Sequence, residues 1–274
     1  MAKLTLRSLW ISDVHLGTRH AKAEYLLDFL NNTESDYLYL VGDIIDIWKM
    51  KTGWYWPALN NAIVQTVLDK ARKGTKVVYV PGNHDEMFRA YRESYFAGVQ
   101  VRPEAMHTSA DGRRYLILHG DEFDYIVCNS KWLAYVGGEV YDFLLWLNRW
   151  FNVARRKLGF PYWSLSAYIK HKVKNAVQYI GDFEAAVARE AARRGVGGVI
   201  CGHIHHAQIA DFDGLVYANC GDWVESCTAL AEDYDGKLRV IHWVEESAAL
   251  IGTEPEISWE ADGGRPAPSA HAGG

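Results

Sequence analysis

A chain of 274 residues, 49% of them hydrophobic, can bury a sizeable core as one large domain or as one domain with a substantial insertion. Its net charge of −5 supplies no overall basic field, which argues against a nucleic-acid partner held by bulk attraction. Four cysteines (Cys128, Cys201, Cys220, Cys227) show no Cys-x-x-Cys spacing and no small secreted framework, so they read as buried free thiols in a reducing compartment.

Residues 4–11 read as a first strand. No signal-peptide pattern precedes it and no apolar run reaches bilayer length, so a cytoplasmic location is expected. Helix-spaced apolar residues follow over 24–32, and the buried strand 37–41 ends at Gly42. Leu59, Ile63, Val67 and Leu68 mark a helix over 56–72, closed by Lys73-Gly74, and strand 76–80 stops at Pro81-Gly82. Strands 106–110 and 115–118 form a hairpin about Asp111-Gly112. Further on, 198–201 enters Gly202, 208–212 pairs with 215–218 about Asp213-Gly214, and 228–232 pairs with 237–244 about Asp235-Gly236. Alternating strand–helix units followed by hairpins predict an α/β fold of two mixed sheets packed face to face with helices outside. The domain is expected over 1–250, and the Pro-, Gly-, Ala- and Ser-rich stretch 253–274 reads as a disordered tail without a catalytic role.

Between the halves, over 125–194, the strand signal disappears and aromatic-rich helical patterning replaces it. From 143 to 181 there is no Asp or Glu, while Arg149, Arg155, Arg156, Lys157, Lys170, Lys172 and Lys174 all fall there. This predicts an inserted helical lid whose apolar face covers an anionic, lipid-like ligand and whose basic residues meet phosphate or membrane headgroups. Lys172 and Lys174 are the candidates for substrate phosphate or sugar. Two plainer readings stay open: the aromatics pack a helical hairpin with a solvated basic face, or the apolar surface joins a second copy.

Chemistry concentrates in five clusters, each at an expected strand end: Asp13-Val14-His15, Gly42-Asp43-Ile44-Ile45-Asp46, Gly82-Asn83-His84-Asp85, His119-Gly120-Asp121 and Gly202-His203-Ile204-His205. Alone, any of them is weak: Asp13 and Asp46 fit helix caps, Asn83 fits a turn, and most histidines are not ligands. Together they hold seven metal-type side chains, at the positions where α/β sheets place their sites. Asp13 and His15, two apart, fall on one face of an extended backbone and suit one metal. Asp43 is the natural bridging carboxylate, Asn83 offers an amide oxygen and His119 an imidazole, and His203 and His205 can serve one metal each. Mixed N and O ligands fit Mn, Fe, Zn, Ni or Co better than Ca or Mg. Two such ions activate a water for phosphoester hydrolysis.

The set resembles the calcineurin-like metallophosphoesterase family, with its D-x-H, G-D-x-x-D, G-N-H-[DE], H and G-H-x-H pattern, over about residues 4–245. The resemblance implies a four-layer αββα sandwich. It also implies one metal on Asp13, His15, Asp43 and His205, a second on Asp43, Asn83, His119 and His203, and a catalytic His84 beside the metals. Within that family, the size, the His119-Gly120-Asp121 motif and the basic aromatic insertion are most similar to the diacylglucosamine pyrophosphate hydrolases of lipid A biosynthesis. That branch implies a lipid-linked nucleotide substrate, two Mn2+ ions, contact with the inner membrane, and substrate contacts from Asn83, His84, Asp124, Lys172 and Lys174. Its best-known members carry arginine where this chain has His84, so a paralogous phosphomonoesterase or phosphodiesterase remains the alternative. A non-catalytic scaffold is a third reading, disfavoured because no metal-type position is missing.

Overall fold

The computed structural model describes residues 3–124 and 165–251, with side chains over 3–124 and 179–247. Two sheets face each other. The larger has seven strands in the order β12-β11-β1-β2-β3-β5-β4, formed by β1 (Leu4–Ile11), β2 (Thr33–Val41), β3 (Lys76–Val80), β4 (Tyr95–Phe96), β5 (Val99–Val101), β11 (Thr228–Glu232) and β12 (Leu238–His242). The smaller has five, ordered β6-β7-β8-β10-β9, from β6 (Ala105–Thr108), β7 (Arg114–Ile117), β8 (Gly198–Cys201), β9 (Gln208–Phe212) and β10 (Leu215–Asn219). β1, β2, β3 and β5 run parallel, as do β7, β8 and β10, while hairpin partners add antiparallel edges.

Three apolar layers fill this frame. Helices α1 (Ala23–Asn32), α3 (Ala58–Arg72) and α5 (Trp243–Ile251) lie over the larger sheet, where Leu26, Phe29, Ile63, Val67 and Trp243 meet Leu9, Ile11, Leu38 and Val77. Helix α4 (Leu165–Arg193) covers the smaller sheet through Phe183, Val187 and Ala191 against Val199 and Tyr217. Between the sheets, Trp10, Tyr39, Val41, Tyr115, Ile117 and Ile200 interdigitate. Each such fully buried side chain stabilises by about 1.5–3 kcal/mol relative to exposure. The expected αββα sandwich is therefore the architecture, because β1 presents Leu9 and Ile11 to the helices and Ser8 and Trp10 to the other sheet.

Several local expectations change. The strand placed over 237–244 ends at His242, and Trp243 instead starts α5, its indole bonded to Asp28 of α1 at 2.9 Å. The segment 47–52, too short for a periodic signal, forms helix α2 (Ile47–Thr52). Only the end of the expected lid 125–194 is described, and there α4 packs into the core of the smaller sheet. Residues 125–164, Cys128 among them, and the expected tail 253–274 lie outside the described residues. Cys201, Cys220 and Cys227 are buried free thiols, as expected. Among the described residues, no helix is long and apolar enough to cross a membrane.

Candidate metal centre

The C-terminal ends of five strands converge between the sheets. Asp13 and His15 follow β1, Asp43 follows β2, Asn83 and His84 follow β3, His119 follows β7, and His203 and His205 follow β8. Asp13, His15, Asp43, His203 and His205 all adopt the left-handed conformation, with φ between +51° and +73°. A non-glycine residue there costs about 1–3 kcal/mol and persists where the surroundings over-determine it, often at functional sites. The extended backbone expected for Asp13 and His15 is thus corrected: a left-handed backbone at both residues, which an extended strand would not show, carries them into the cluster. Gly42 (φ +77°) is needed for closeness too, since a Cβ there would meet His119 Nδ1 at 2.2 Å.

Asp43 Oδ2 is the hub. It lies 3.5 Å from His119 Nε2 and 3.9 Å from both His15 Nε2 and His84 Nε2. Its other oxygen accepts the His84 backbone N–H at 2.8 Å. Asp13 Oδ1 lies 3.3 Å from His205 Nε2, and Asp13 Oδ2 accepts the backbone N–H of His203 at 2.9 Å. Ligand atoms of Asp13, His15 and His205, of Asp13, Asp43 and His119, and of His15, Asp46 and His84 fall within 4.8 Å of one another in each set. The ring of His203 lies outside these sets, 5.1 Å from that of His119.

Other residues aim these side chains: Asp46 and Asp85 stand inside the motif clusters, whereas Asn219 and Tyr179 carry no local signal. Asp46 caps α2 through Lys49 N at 2.8 Å while its second oxygen takes His15 Nδ1 at 3.1 Å and lies 3.0 Å from His84 Nδ1. Asp46 is therefore both the cap of α2 and a partner of two site histidines. Asp85 accepts Gly82 N at 2.6 Å, Ile44 N at 2.8 Å and the Tyr79 hydroxyl, bracing two site loops against each other. His119 Nδ1 donates to the carbonyl of Val41 at 3.0 Å. Asn219 donates to the carbonyl of Gly202 at 2.7 Å and accepts Gly221 N at 2.9 Å, fixing the loop that presents His203. Asp124, expected on substrate, touches His203 Nε2 and the Tyr179 hydroxyl, each at 2.8 Å. The side chains of Lys172 and Lys174 lie outside the described residues.

The electrostatics call for a cation. Burial alone would raise Asp43, but the imidazoles of His119, His15 and His84 hold its carboxyl well below the usual carboxylate range. Burial would likewise depress His119, yet Asp43 beside it pushes the imidazole up to about 10. His15 is raised against its burial by Asp46, Asp13 and Asp43. A metal fits in place of those protons. Asp13 Oδ1, His15 Nε2, Asn83 Oδ1 and His119 Nε2 are all buried without a hydrogen-bond partner, while the far nitrogens of His15 and His119 are bonded to Asp46 and Val41. Inward lone pairs with outward N–H groups anchored is the arrangement metal-binding histidines need.

An α/β sandwich with carboxylates and imidazoles gathered at its strand ends defines a candidate dinuclear metal protein. A family model for calcineurin-like phosphoesterase matches residues 6–207, and the chain belongs to that family. Among curated relatives, a UDP-2,3-diacylglucosamine hydrolase of Psychromonas ingrahamii is 32% identical over 124 residues, 42% of this chain and 48% of the relative. One from Xanthomonas campestris is 33% identical over 121 residues, covering 42% and 47%. The chain thus spans about half the length of these relatives. One from Aliivibrio fischeri is 25% identical over 244 residues, 85% of this chain and 97% of the relative. Similar solved structures include the phosphoesterase Yfce from E. coli, 12% identical with a TM-score of 0.41 over 86% of this chain and 98% of that one.

Proposed function

We propose that the chain is a metal-dependent phosphohydrolase that cleaves the pyrophosphate of a lipid-linked nucleotide. The leading substrate is UDP-2,3-diacylglucosamine, with UMP and diacylglucosamine 1-phosphate as products. The observation that carries the hydrolase reading is Asp43 Oδ2 with Nε2 of two candidate ligands, His119 and His15, at 3.5 and 3.9 Å and Nε2 of His84, the catalytic candidate, at 3.9 Å; Asp43 would contribute to both ions. Asp13, His15, Asp43 and His205 would hold one ion; Asp43, Asn83, His119 and His203 would hold the other. Two divalent ions, Mn2+ first, with Fe, Zn, Ni or Co as alternatives, supply Lewis-acid charge and bring a water toward ionisation near neutral pH.

The chain's own groups orient the reaction. Asp46 holds the His15 ring with its Nε2 facing Asp43, and the Asp13 carboxylate ties down the backbone of His203. His84 is the catalytic candidate. Its backbone N–H is pinned to Asp43, its ring sits 4.7 Å from the His15 ring and 4.6 Å from that of half-exposed Trp48, and it remains partly open to solvent. From there it can stabilise charge on the phosphoryl oxygens or protonate the leaving oxygen.

The lipid-linked nucleotide is supported by the relatives' substrate and by the acid-free basic stretch 143–181, with 125–194 as the cover over the lipid. The same stretch supports a cytoplasmic protein peripheral to the inner membrane. Purified protein offered UDP-2,3-diacylglucosamine, simple nucleotides and CDP-linked lipids should release nucleotide fastest from the first. Turnover of the others alone would move the substrate to the second reading, a phosphomonoesterase or phosphodiesterase on another nucleotide or phospholipid. His84, in place of the arginine of the best-known lipid A enzymes, favours that second reading.

A further inference from the structure

His203 reaches the centre with one ring nitrogen already engaged. Its Nε2 lies 2.8 Å from Asp124 Oδ1, so only Nδ1 is left for a metal. The same Asp124 oxygen accepts the hydroxyl of Tyr179 at 2.8 Å. Four residues along α4, one turn away, Phe183 is fully buried with its ring 5.9 Å from that of His203. Phe183 also closes beneath Gly120 (φ +117°), where a Cβ would meet its Cζ at 2.7 Å, so the loop leaving His119 has no room to shift away. Helix α4 therefore holds His203 twice, by a hydrogen-bonded relay and by ring packing.

We infer that Asp124 and Tyr179 are positioning residues that fix the tautomer and rotamer of His203, and so set the affinity of the metal it holds. This inference rests on the metal-centre reading above. With Nε2 protonated and donating to Asp124, Nδ1 carries the ring's free lone pair. Tyr179 keeps the carboxylate from rotating out of line. A carboxylate–histidine pair of this kind commonly changes metal affinity by about 10–100-fold when broken. Tyr179 lies on helix α4, outside all five motif clusters, whereas Asp124 stands three residues beyond the His119-Gly120-Asp121 cluster.

Metal-stripped full-length protein titrated calorimetrically with Mn2+ tests the assignment without substrate. Wild type should take up two ions. Asp124→Ala should weaken one of them by about 10–100-fold and leave the other unchanged. Tyr179→Phe should weaken the same ion toward the lower end of that range, with the melting temperature of the metal-free protein unmoved. Asp124→Asn, which keeps an acceptor for His203, should recover most of the loss. Arg193→Ala, an exposed change on the same helix, should bind as wild type does. Two unchanged ions in Tyr179→Phe and Asp124→Ala would overturn the inference while leaving the metal centre intact, as would an Asn variant no better than Ala. Fewer than two ions in wild type would remove the metal-centre reading itself, and the inference with it.

Discussion

Around Glu232 and around Asp43, buried carboxylates and histidines meet between the same two sheets. Near Ser8 of β1, Glu232 accepts Arg7 through both oxygens at 2.7 and 2.8 Å, Ser8 at 2.6 Å, Ala110 N at 2.7 Å and His107 at 2.8 Å. His107 Nδ1 is bonded in turn to the Tyr39 hydroxyl at 3.0 Å. At the other end of β1, four buried atoms of Asp13, His15, Asn83 and His119 have no such partner. Residue type does not separate these clusters; satisfaction does. A buried network whose bonds are all made inside the chain holds the fold, and one with inward lone pairs left over is built to bond something else.

One substitution at each hub separates the two clusters. Asp43→Ala should reduce Mn-dependent hydrolysis of an aryl phosphodiester to background, because the hub of both metal sets is lost; activity equal to wild type would sink the catalytic reading. Glu232→Ala should do the reverse. It strands Arg7 and His107 and should cost about 3–5 kcal/mol in urea unfolding, with metal uptake preserved under native conditions.

Titration sharpens the same contrast. Burial opposes ionisation of Glu232, but His107, Ser8, the Ala110 amide and Arg7 hold it down at about 2. Its folded value lies below its ordinary one, so its contribution is fully present above about pH 4.5 and is lost as pH falls toward 2, roughly 3 kcal/mol in all. Unfolding free energies measured across that window should show the loss in wild type and a much shallower slope in Glu232→Gln. A smaller effect is expected from Asp46→Ala, which frees the His15 ring: about 10–100-fold weaker binding of one metal by equilibrium dialysis. Unchanged affinity there would make Asp46 only a helix cap.

The αββα frame was legible because parallel strands write themselves as apolar runs and their ends carried the motifs, so 76–80 and 198–201 were placed to the residue. The residues gathered at those strand ends were legible as motif clusters, and Asp43, Asn83, His119 and His203 each adjoin a glycine there. What aims them was not. Asp46 reads as a cap, which it is, and nothing local tells that its other oxygen holds His15. Asp124 meets His203 across 79 residues and Glu232 meets Arg7 across 225, pairings that only the folded sheets create. The left-handed backbone at Asp13 and His15 is equally invisible, since no glycine marks it.

We propose that the unsatisfied cluster, and not the Glu232 network, holds two divalent ions. Metal content per chain after dialysis against Mn2+ tests it most directly, on wild type, Asp43→Asn and Glu232→Gln side by side. Two ions in wild type and in Glu232→Gln, with fewer than two in Asp43→Asn, is the predicted outcome. No retained metal in wild type, or full retention in Asp43→Asn, would contradict it.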